Sequence, residues 1–269
     1  MNFLQLLDKL EAIIRRDLLT AIRYRTGFLL AAGAALAELA AFYFLSRAIG
    51  PGFRPQGVDY FPFLLVGTGF YTFMLLGINA FLDIVQQAQQ TGTLEVLMTT
   101  STPAPTLVLL SAVSAFAGNA VQLVFYVGAG FLLFGAPLQH PNLPGCLVIF
   151  ALSVIVAVAI GIFAATLQLA MQKGSAVVWL MGSGAWFMTG TLFPVATLPK
   201  FLRAIAEWIP ITHSLNGMRM ALLEGISFGG LGREIGILAL FSGILLPLSV
   251  LLFSHALRKA RLEGTLSFY

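Results

Sequence analysis

The sequence predicts an all-α integral membrane protein with six transmembrane helices. Hydrophobic residues make up 58% of the 269 residues and charged residues only 10%, whereas soluble domains carry about 25% charged residues. Long apolar runs alternate with short polar or proline-containing segments, and helices are the simplest structures that satisfy the backbone in lipid. The predicted spans cover residues 27–45, 61–85, 106–134, 145–171, 176–193 and 235–255, within one transmembrane domain over residues 1–269.

Charge and cysteine content exclude several function classes. The net charge of +4 favours binding to acidic membrane lipids over nucleic acid, because the basic residues are not interleaved with exposed aromatic residues. The single cysteine, Cys146, excludes an internal disulfide and a cysteine-based metal site. His140, His213 and His255 fit no metal-binding spacing. No G-x-x-x-x-G-K-[ST] motif occurs, so we expect no cofactor or metal in this chain.

The first 26 residues predict an amphipathic helix at the cytoplasmic membrane interface. Apolar residues recur at helical spacing from Phe3 to Leu18, and acidic and basic residues occupy the other side. Basic side chains there can extend to the lipid headgroups.

Three polar residues inside the spans are candidates for a transport pathway. Glu38 lies in the first span, and Asn119 and Gln122 lie in the third. A carboxyl group inside the membrane costs a few kcal/mol on insertion scales, so it should face other helices or be protonated. The alternative for Glu38 is a buried structural acid, and amides often hold helices together. In the fourth span, residues 153, 157, 161 and 165 form a stripe of small residues that indicates close helix packing first and dimerisation second.

Basic residues cluster at both termini, which places both termini in the cytoplasm by the positive-inside rule. Six spans are consistent with that placement. The chain should then be a multi-pass protein of the inner (plasma) membrane.

Residues 86–105, QQAQQTGTLEVLMTTSTPAP, form a polar segment between the second and third spans. Within it the run from Thr93 to Met98 predicts a short helix, and the Thr/Ser/Pro run after it ends that helix. A solvated loop is the alternative. Leu94, Leu97 and Met98 favour a docking helix, since they would be exposed unless a partner covered them.

Residues 194–232 are too long for a turn and too interrupted for a span. Pro194, Pro199 and Pro210 divide them into two short amphipathic pieces. Such a pair predicts half-helices that dip into the outer leaflet, with Trp208 as an interfacial anchor.

Two of these segments resemble those of type-2 ABC exporter permeases. In the stretch TGTLFPVATLPKFLRAIAEWIPITHSLNGMRMALLEG, the family pattern is matched by Phe193-Pro194, Leu198-Pro199, Pro210-Ile211-Thr212 and Arg219. Gly-Thr-Leu-Glu at residues 92–95, followed by the Thr/Pro run, is similar to the family's cytoplasmic coupling helix. The amphipathic N-terminus and the six spans extend the resemblance over nearly the whole chain. Glutamines stand where the family often has charged residues, so polar pairing with the ATPase would replace ionic pairing.

This resemblance implies the transmembrane subunit of an ATP-driven exporter that is not an enzyme by itself. Two copies of the permease would work with two copies of an ABC ATPase, which would hold the ATP and magnesium. The substrate would be a lipid, a glycan or glycolipid, or a hydrophobic drug-like molecule. The resemblance assigns one residue set to ATPase coupling and another to an exit gate. The coupling set is Gln90, Gly92, Thr93, Leu94, Glu95, Leu97 and Met98, and the gate set is Phe193, Pro194, Pro199, Pro210 and Arg219.

Two other functions remain open from the sequence. A proton- or ion-coupled secondary transporter would use buried ionisable groups and an internal repeat, but Glu38 is its main support and no repeat is evident. A membrane-embedded enzyme would need a reactive cluster, for which His213 with Glu207 and Glu224 is the best candidate.

Overall fold

The computed structural model describes residues 25–91, 104–136, 141–171 and 174–263. These residues contain helices and turns and no strand, which confirms the all-α prediction. The helices are α1 (Arg25–Ile49), α2 (Tyr60–Gln90), α3 (Ala104–Phe134), α4 (Leu143–Met171), the interrupted helix α5 (Gly174–Trp179, Leu180–Ala185 and Trp186–Met188), α6 (Lys200–Ala206), α7 (Pro210–Leu222) and α8 (Phe228–Glu263).

Five helices are long and apolar enough to cross a membrane, namely α1, α2, α3, α4 and α8. The predicted span over residues 176–193 corresponds to α5, whose apolar part, Ser175–Met188, is shorter than 18 residues. A π-helical turn over Leu180–Ala185 interrupts α5, and Gly190 follows it with a positive φ of 81°. The described residues therefore contain five long spans, and the sixth span stays a prediction.

Helices α2 and α8 extend furthest beyond their predicted bounds. Helix α2 continues to Gln90 instead of ending at residue 85. Glutamine is a good helix former, and the buried Gln89 accepts a hydrogen bond from Gln168 of α4 at 3.3 Å. Helix α8 begins at Phe228 and runs to Glu263, so it includes the end of the segment assigned to residues 194–232. The glutamine-rich start of the polar segment is thus helical, not loop.

Helices α2 and α4 form the centre of the fold. In α2, 83% of the apolar span is buried, compared with 11% in α1. Helix α4 packs most extensively against α8 and α2, while α1 makes few contacts at the edge. Phe73 of α2 stacks on Phe150 of α4 at 5.1 Å and meets Phe116 of α3 edge-on at 5.7 Å.

Small residues allow these helices to approach closely. A Cβ atom at Gly161 would lie 2.5 Å from Cδ2 of Phe81. Ser153, Ala157, Gly161 and Ala165 are all buried within this chain. The small-residue stripe of α4 is therefore used for internal packing, as its first interpretation predicted, and it offers no free surface for a second copy.

Polar contacts identify the two ends of the helix bundle. At one end, Gln56 in the loop after α1 bonds Asn216 of α7 at 3.4 Å. At the same end, Asn142 before α4 donates to the carbonyl oxygen of Ile226 at 2.7 Å. The Gln89–Gln168 bond lies near the opposite end, where α2 and α4 finish. The loops predicted to be extracellular thus share one end.

Several predicted features lie outside the described residues. These are residues 1–24 of the N-terminal interface helix, residues 92–103 of the coupling helix and the turn at residues 172–173.

Candidate functional site

A polar cavity of about 210 Å³ lies between α1, α2 and α3. Its polar lining residues are Glu38 of α1, Thr72 of α2, and Asn119, Gln122 and Tyr126 of α3. Glu38, Asn119 and Gln122 are the three residues that the sequence singled out as pathway candidates, and the structure brings them together. Thr72 and Tyr126 were not predicted, because a single threonine or tyrosine in an apolar run gives no distinctive signal.

Helix geometry explains why these side chains converge. Residues 119, 122 and 126 are spaced by three and four positions, so they share one face of α3. The ring of Tyr126 fits against α2 because Gly69 has no side chain; a Cβ atom there would lie 2.8 Å from Cδ1 of Tyr126. On the opposite wall, Ala31 and Ala34 leave open space.

The cavity lies near the middle of the candidate membrane spans of α1, α2 and α3. Glu38 is roughly 14 Å along α1 from Leu29, at 1.5 Å per residue, and the hydrocarbon core is about 30 Å thick. Glu38, Thr72 and Gln122 are nevertheless exposed in the single chain. Tyr126 is only 7% exposed, and its hydroxyl group has no hydrogen-bond partner among the described residues. The cavity thus presents polar side chains near the middle of apolar helices, where lipid offers no hydrogen-bond partners.

A second cavity, of about 560 Å³, lies on the other side of the contact between α2 and α3. Apolar side chains line it, including Phe70, Phe131 and Phe150. Leu123 borders both cavities.

The segment before the last helix contains the two short helices that its prolines predicted. Pro199 precedes α6, and Pro210 is the first residue of α7, where a missing N–H group costs nothing. Pro194 is buried, and Phe193 is half-buried. Trp208 is 79% exposed. Its insertion into a leaflet, and the exit-gate role of this segment, stay predictions.

Arg219 of α7 is fully enclosed, with an exposed fraction of 1%. Its guanidinium group donates to the carbonyl oxygens of Gly190 at 2.8 Å, Thr191 at 2.9 Å and Phe63 at 3.1 Å. It also lies 3.5 Å from the centre of the Phe63 ring, in a cation–π contact. Arg219 therefore joins α2, the turn after α5, and α7.

Gly190 and Gly67 make room for this guanidinium group. Gly190 adopts a positive φ of 81°, which favours glycine, in the turn whose carbonyl oxygen Arg219 binds. A Cβ atom at Gly67 of α2 would collide with Nη2 of Arg219 and would lie 2.7 Å from the carbonyl oxygen of Thr191.

His213 pairs with a carboxylate that the sequence did not indicate. Its Nδ1 lies 2.6 Å from Oε2 of Glu234 in α8, and its Nε2 lies 2.9 Å from the carbonyl oxygen of Glu207. Burial lowers the pKa of His213, but the hydrogen bonds to Glu234 and to the Glu207 carbonyl outweigh it and raise the pKa overall. Because a carboxylate and a carbonyl both accept, the imidazolium form satisfies both partners. Glu234 is 21 positions away, so only the packing of α7 on α8 could reveal it.

The reactive cluster of His213, Glu207 and Glu224 is not formed. The Glu207 carboxylate pairs with Arg203 at 3.2 Å, and only its backbone carbonyl reaches His213. Glu224 is exposed in the turn after α7. The hypothesis of a catalytic site built from these three side chains was therefore wrong.

Of the predicted coupling residues, the structure describes only Gln90, which is exposed at the end of α2. Gly92, Thr93, Leu94, Glu95, Leu97 and Met98 lie outside the described residues. Since Gln89 is buried against Gln168, it is not available for polar pairing with an ATPase.

Comparison with known proteins identifies the family. The family model for the ABC-2 type transporter matches residues 8–223, which is well over half of the chain. No curated protein matches the sequence. Membrane domains of this family generally partner with an ATPase subunit and are generally not enzymes by themselves. The chain therefore belongs to the ABC-2 type transporter family and is a multi-pass transmembrane subunit of an ABC transporter.

Proposed function

We propose that this chain is the permease of an ATP-driven exporter in which two copies enclose the transport pathway and two separate ATPase subunits drive it. The substrate is an amphipathic molecule that moves outward from the inner membrane. The observation that carries the proposal is the exposed polar face around Glu38, Thr72 and Gln122 at the middle of long apolar helices.

Membrane energetics support a second copy over this face. A charged side chain at the centre of the bilayer costs about 2.5–3.5 kcal/mol on insertion scales. Amides and hydroxyls also lose hydrogen bonds when they face lipid. Covering the face with the same face of a second chain, and leaving water or substrate between them, would remove this cost. A pathway between two copies would then run beside Glu38.

The proposed ATPase contact lies at the opposite end from α6 and α7. Helix α2 ends at Gln90, near the Gln89–Gln168 bond, and α3 begins at Ala104 after the coupling segment. The short helices α6 and α7 belong to the end marked by the Gln56–Asn216 bond. This arrangement supports a cytoplasmic coupling helix and an extracellular pair of short helices.

Cysteine cross-linking tests the pathway between copies. In a Cys146→Ser background, which removes the single cysteine, Thr72→Cys should form dimers with a short bifunctional thiol reagent. The matched control is Leu240→Cys on α8, which is 63% exposed and should not form dimers. Dimers through residue 240 but not through residue 72 would place the polar face away from the partner copy.

Co-expression with candidate ABC ATPase subunits tests the source of energy. We expect a stable complex whose ATP hydrolysis drives transport into inverted vesicles. A chain that transports in response to a proton gradient, without any ATPase, would refute the proposal.

A further inference from the structure

The cavity between α1, α2 and α3 contains an acid without a basic partner. No Lys or Arg lines it among the residues that the structure describes. The sequence extends this observation to a second copy of the chain. It has no Lys or Arg between Arg54 and Lys173, and none from residue 26 to residue 46. The central parts of these three helices therefore cannot supply a positive charge to Glu38, from either copy.

The remaining lining groups are suited to a donor of hydrogen bonds. Asn119, Gln122 and Thr72 each offer an oxygen atom that can accept a hydrogen bond. The Tyr126 hydroxyl is buried, borders the cavity and has no partner among the described residues. A buried polar group without a partner is costly, and a ligand that bonds this hydroxyl would remove that cost.

These observations separate the substrate classes that the sequence left open. A phosphate or diphosphate headgroup would be repelled by Glu38 and would find no cation. A neutral sugar could bond the amides, but it would leave the carboxylate without a counter-charge. A primary ammonium group has three N–H donors and one positive charge, which match the carboxylate and the nearby oxygen atoms.

We propose that the cavity formed by Glu38, Thr72, Asn119, Gln122 and Tyr126 binds the positively charged amine headgroup of an amphipathic substrate, with Glu38 as its counter-ion. This rests on the proposed function, since it names the substrate class of that pathway. The volume of about 210 Å³ suits a headgroup, because pockets for whole drug-sized ligands measure about 300–1,000 Å³. The apolar part of the substrate would extend beyond the cavity.

A matched pair of fluorescent probes tests the charge requirement. Dansylcadaverine carries a primary ammonium group, and its N-acetyl derivative is neutral and otherwise similar. Binding is measured by fluorescence anisotropy on the full chain in nanodiscs of zwitterionic lipid, with empty nanodiscs subtracted. The wild-type chain should bind the ammonium probe about tenfold or more tightly than the neutral probe, a difference of about 1.4 kcal/mol.

Four variants locate the effect. Glu38→Gln should abolish the preference for the charged probe, and Glu38→Asp should retain part of it. Tyr126→Phe should weaken ammonium binding several-fold. Asp83 is an exposed acid of α2 that does not line the cavity, so Asp83→Asn should leave the binding of both probes unchanged. Melting curves exclude misfolded variants.

Two results would overturn the inference. Equal binding of both probes to the wild-type chain would mean that Glu38 holds a proton and is structural. A Glu38→Gln chain that still prefers the charged probe would place the site elsewhere. The assay contains no ATPase, so failure to find an ATPase complex would refute the proposed function and leave the amine site intact. Conversely, an active ATPase complex whose permease shows no preference for the charged probe would refute only the amine site.

Discussion

Replacing Arg219 with lysine should strongly destabilise the protein, although the charge is kept. The guanidinium group reaches three carbonyl oxygens on two segments of the chain, at Gly190, Thr191 and Phe63. A lysine ammonium is a compact group without the planar fork, and it cannot bond all three at once. We expect it to keep one bond and to leave two carbonyl groups unpaired.

The expected loss follows from those two bonds. A hydrogen bond to a charged group contributes about 1.5–3 kcal/mol, so two such bonds amount to about 3–6 kcal/mol. For chains of this size, 1 kcal/mol shifts the melting temperature by roughly 2–4 °C in soluble domains. A decrease of about 6–24 °C is therefore expected for Arg219→Lys.

Cys146 supplies the assay. It is the single cysteine and is half-buried in α4, so a dye that fluoresces on reaction with thiols reports its exposure during heating. Arg203→Lys is the matched control, because Arg203 makes one surface ion pair with Glu207, and such pairs contribute about 0–1 kcal/mol. An Arg219→Lys chain that melts together with the control would refute the assignment of Arg219 as the joint between α2, α5 and α7.

Gly67→Ala tests the same joint from the other side. The added methyl group would collide with Nη2 of Arg219, so the variant should lose stability by about 1–3 kcal/mol, as overpacked cores do. Gly128→Ala introduces the same change where no atom lies within 4 Å, and it should be tolerated. Equal melting temperatures for the two variants would contradict the packing around Arg219.

Two further predictions concern pH and the ATPase. Pairing with Glu234 raises the pKa of His213 in the folded protein. The ion pair therefore stabilises the fold fully below about pH 6.5, the pKa of an unpaired histidine. This stabilisation is lost as the pH rises through the higher pKa of the folded state. The melting temperature should therefore fall from pH 6.5 to 8.5 more in the wild-type chain than in Glu234→Gln, and parallel curves would disprove this. Leu94→Asp combined with Leu97→Asp should release the ATPase in a pull-down while membrane insertion stays normal. A double variant that keeps its ATPase and still exports would mean that residues 93–98 do not dock to the ATPase.

The long helices were predictable because hydrophobicity and length alone decide them. Residues 61–85 and 145–171 were predicted as spans, and they form the central helices α2 and α4. Helix ends were less accurate, since Gln86 to Gln90 are polar but continue α2, where Gln89 finds Gln168. A hydropathy scale scores polar residues as unfavourable for a transmembrane helix, whereas a buried pair of amide side chains can lengthen such a helix.

The polar cavity was predictable only in part. Glu38, Asn119 and Gln122 were conspicuous as polar residues in apolar runs, but their convergence depends on how α1 and α3 are rotated about their axes. Tyr126 resembles an ordinary aromatic residue in the sequence, although its hydroxyl has no hydrogen-bond partner among the described residues. Residue types identify such groups, whereas only packing shows which of them meet.

Arg219 shows what residue type alone leaves out. The resemblance assigned it to the exit gate from its place in a broken segment, but nothing in the sequence indicated that it is 1% exposed and bonded to three backbone carbonyl oxygens and an aromatic ring. Its three carbonyl partners lie between 28 and 156 positions away in the sequence, so only packing brings them together.

The two ionisable residues Arg219 and Glu38 differ in a way that separates structure from transport. Arg219 is enclosed, and the protein itself satisfies it with three carbonyl oxygens and the Phe63 ring. Such a group holds one conformation, because any movement would break several bonds at once. Glu38 is exposed in the single chain and has no basic partner among the residues around its cavity. The proposed pathway requires such a group, because a carboxyl group without a basic partner among the described lining residues can pair with a substrate that arrives and departs.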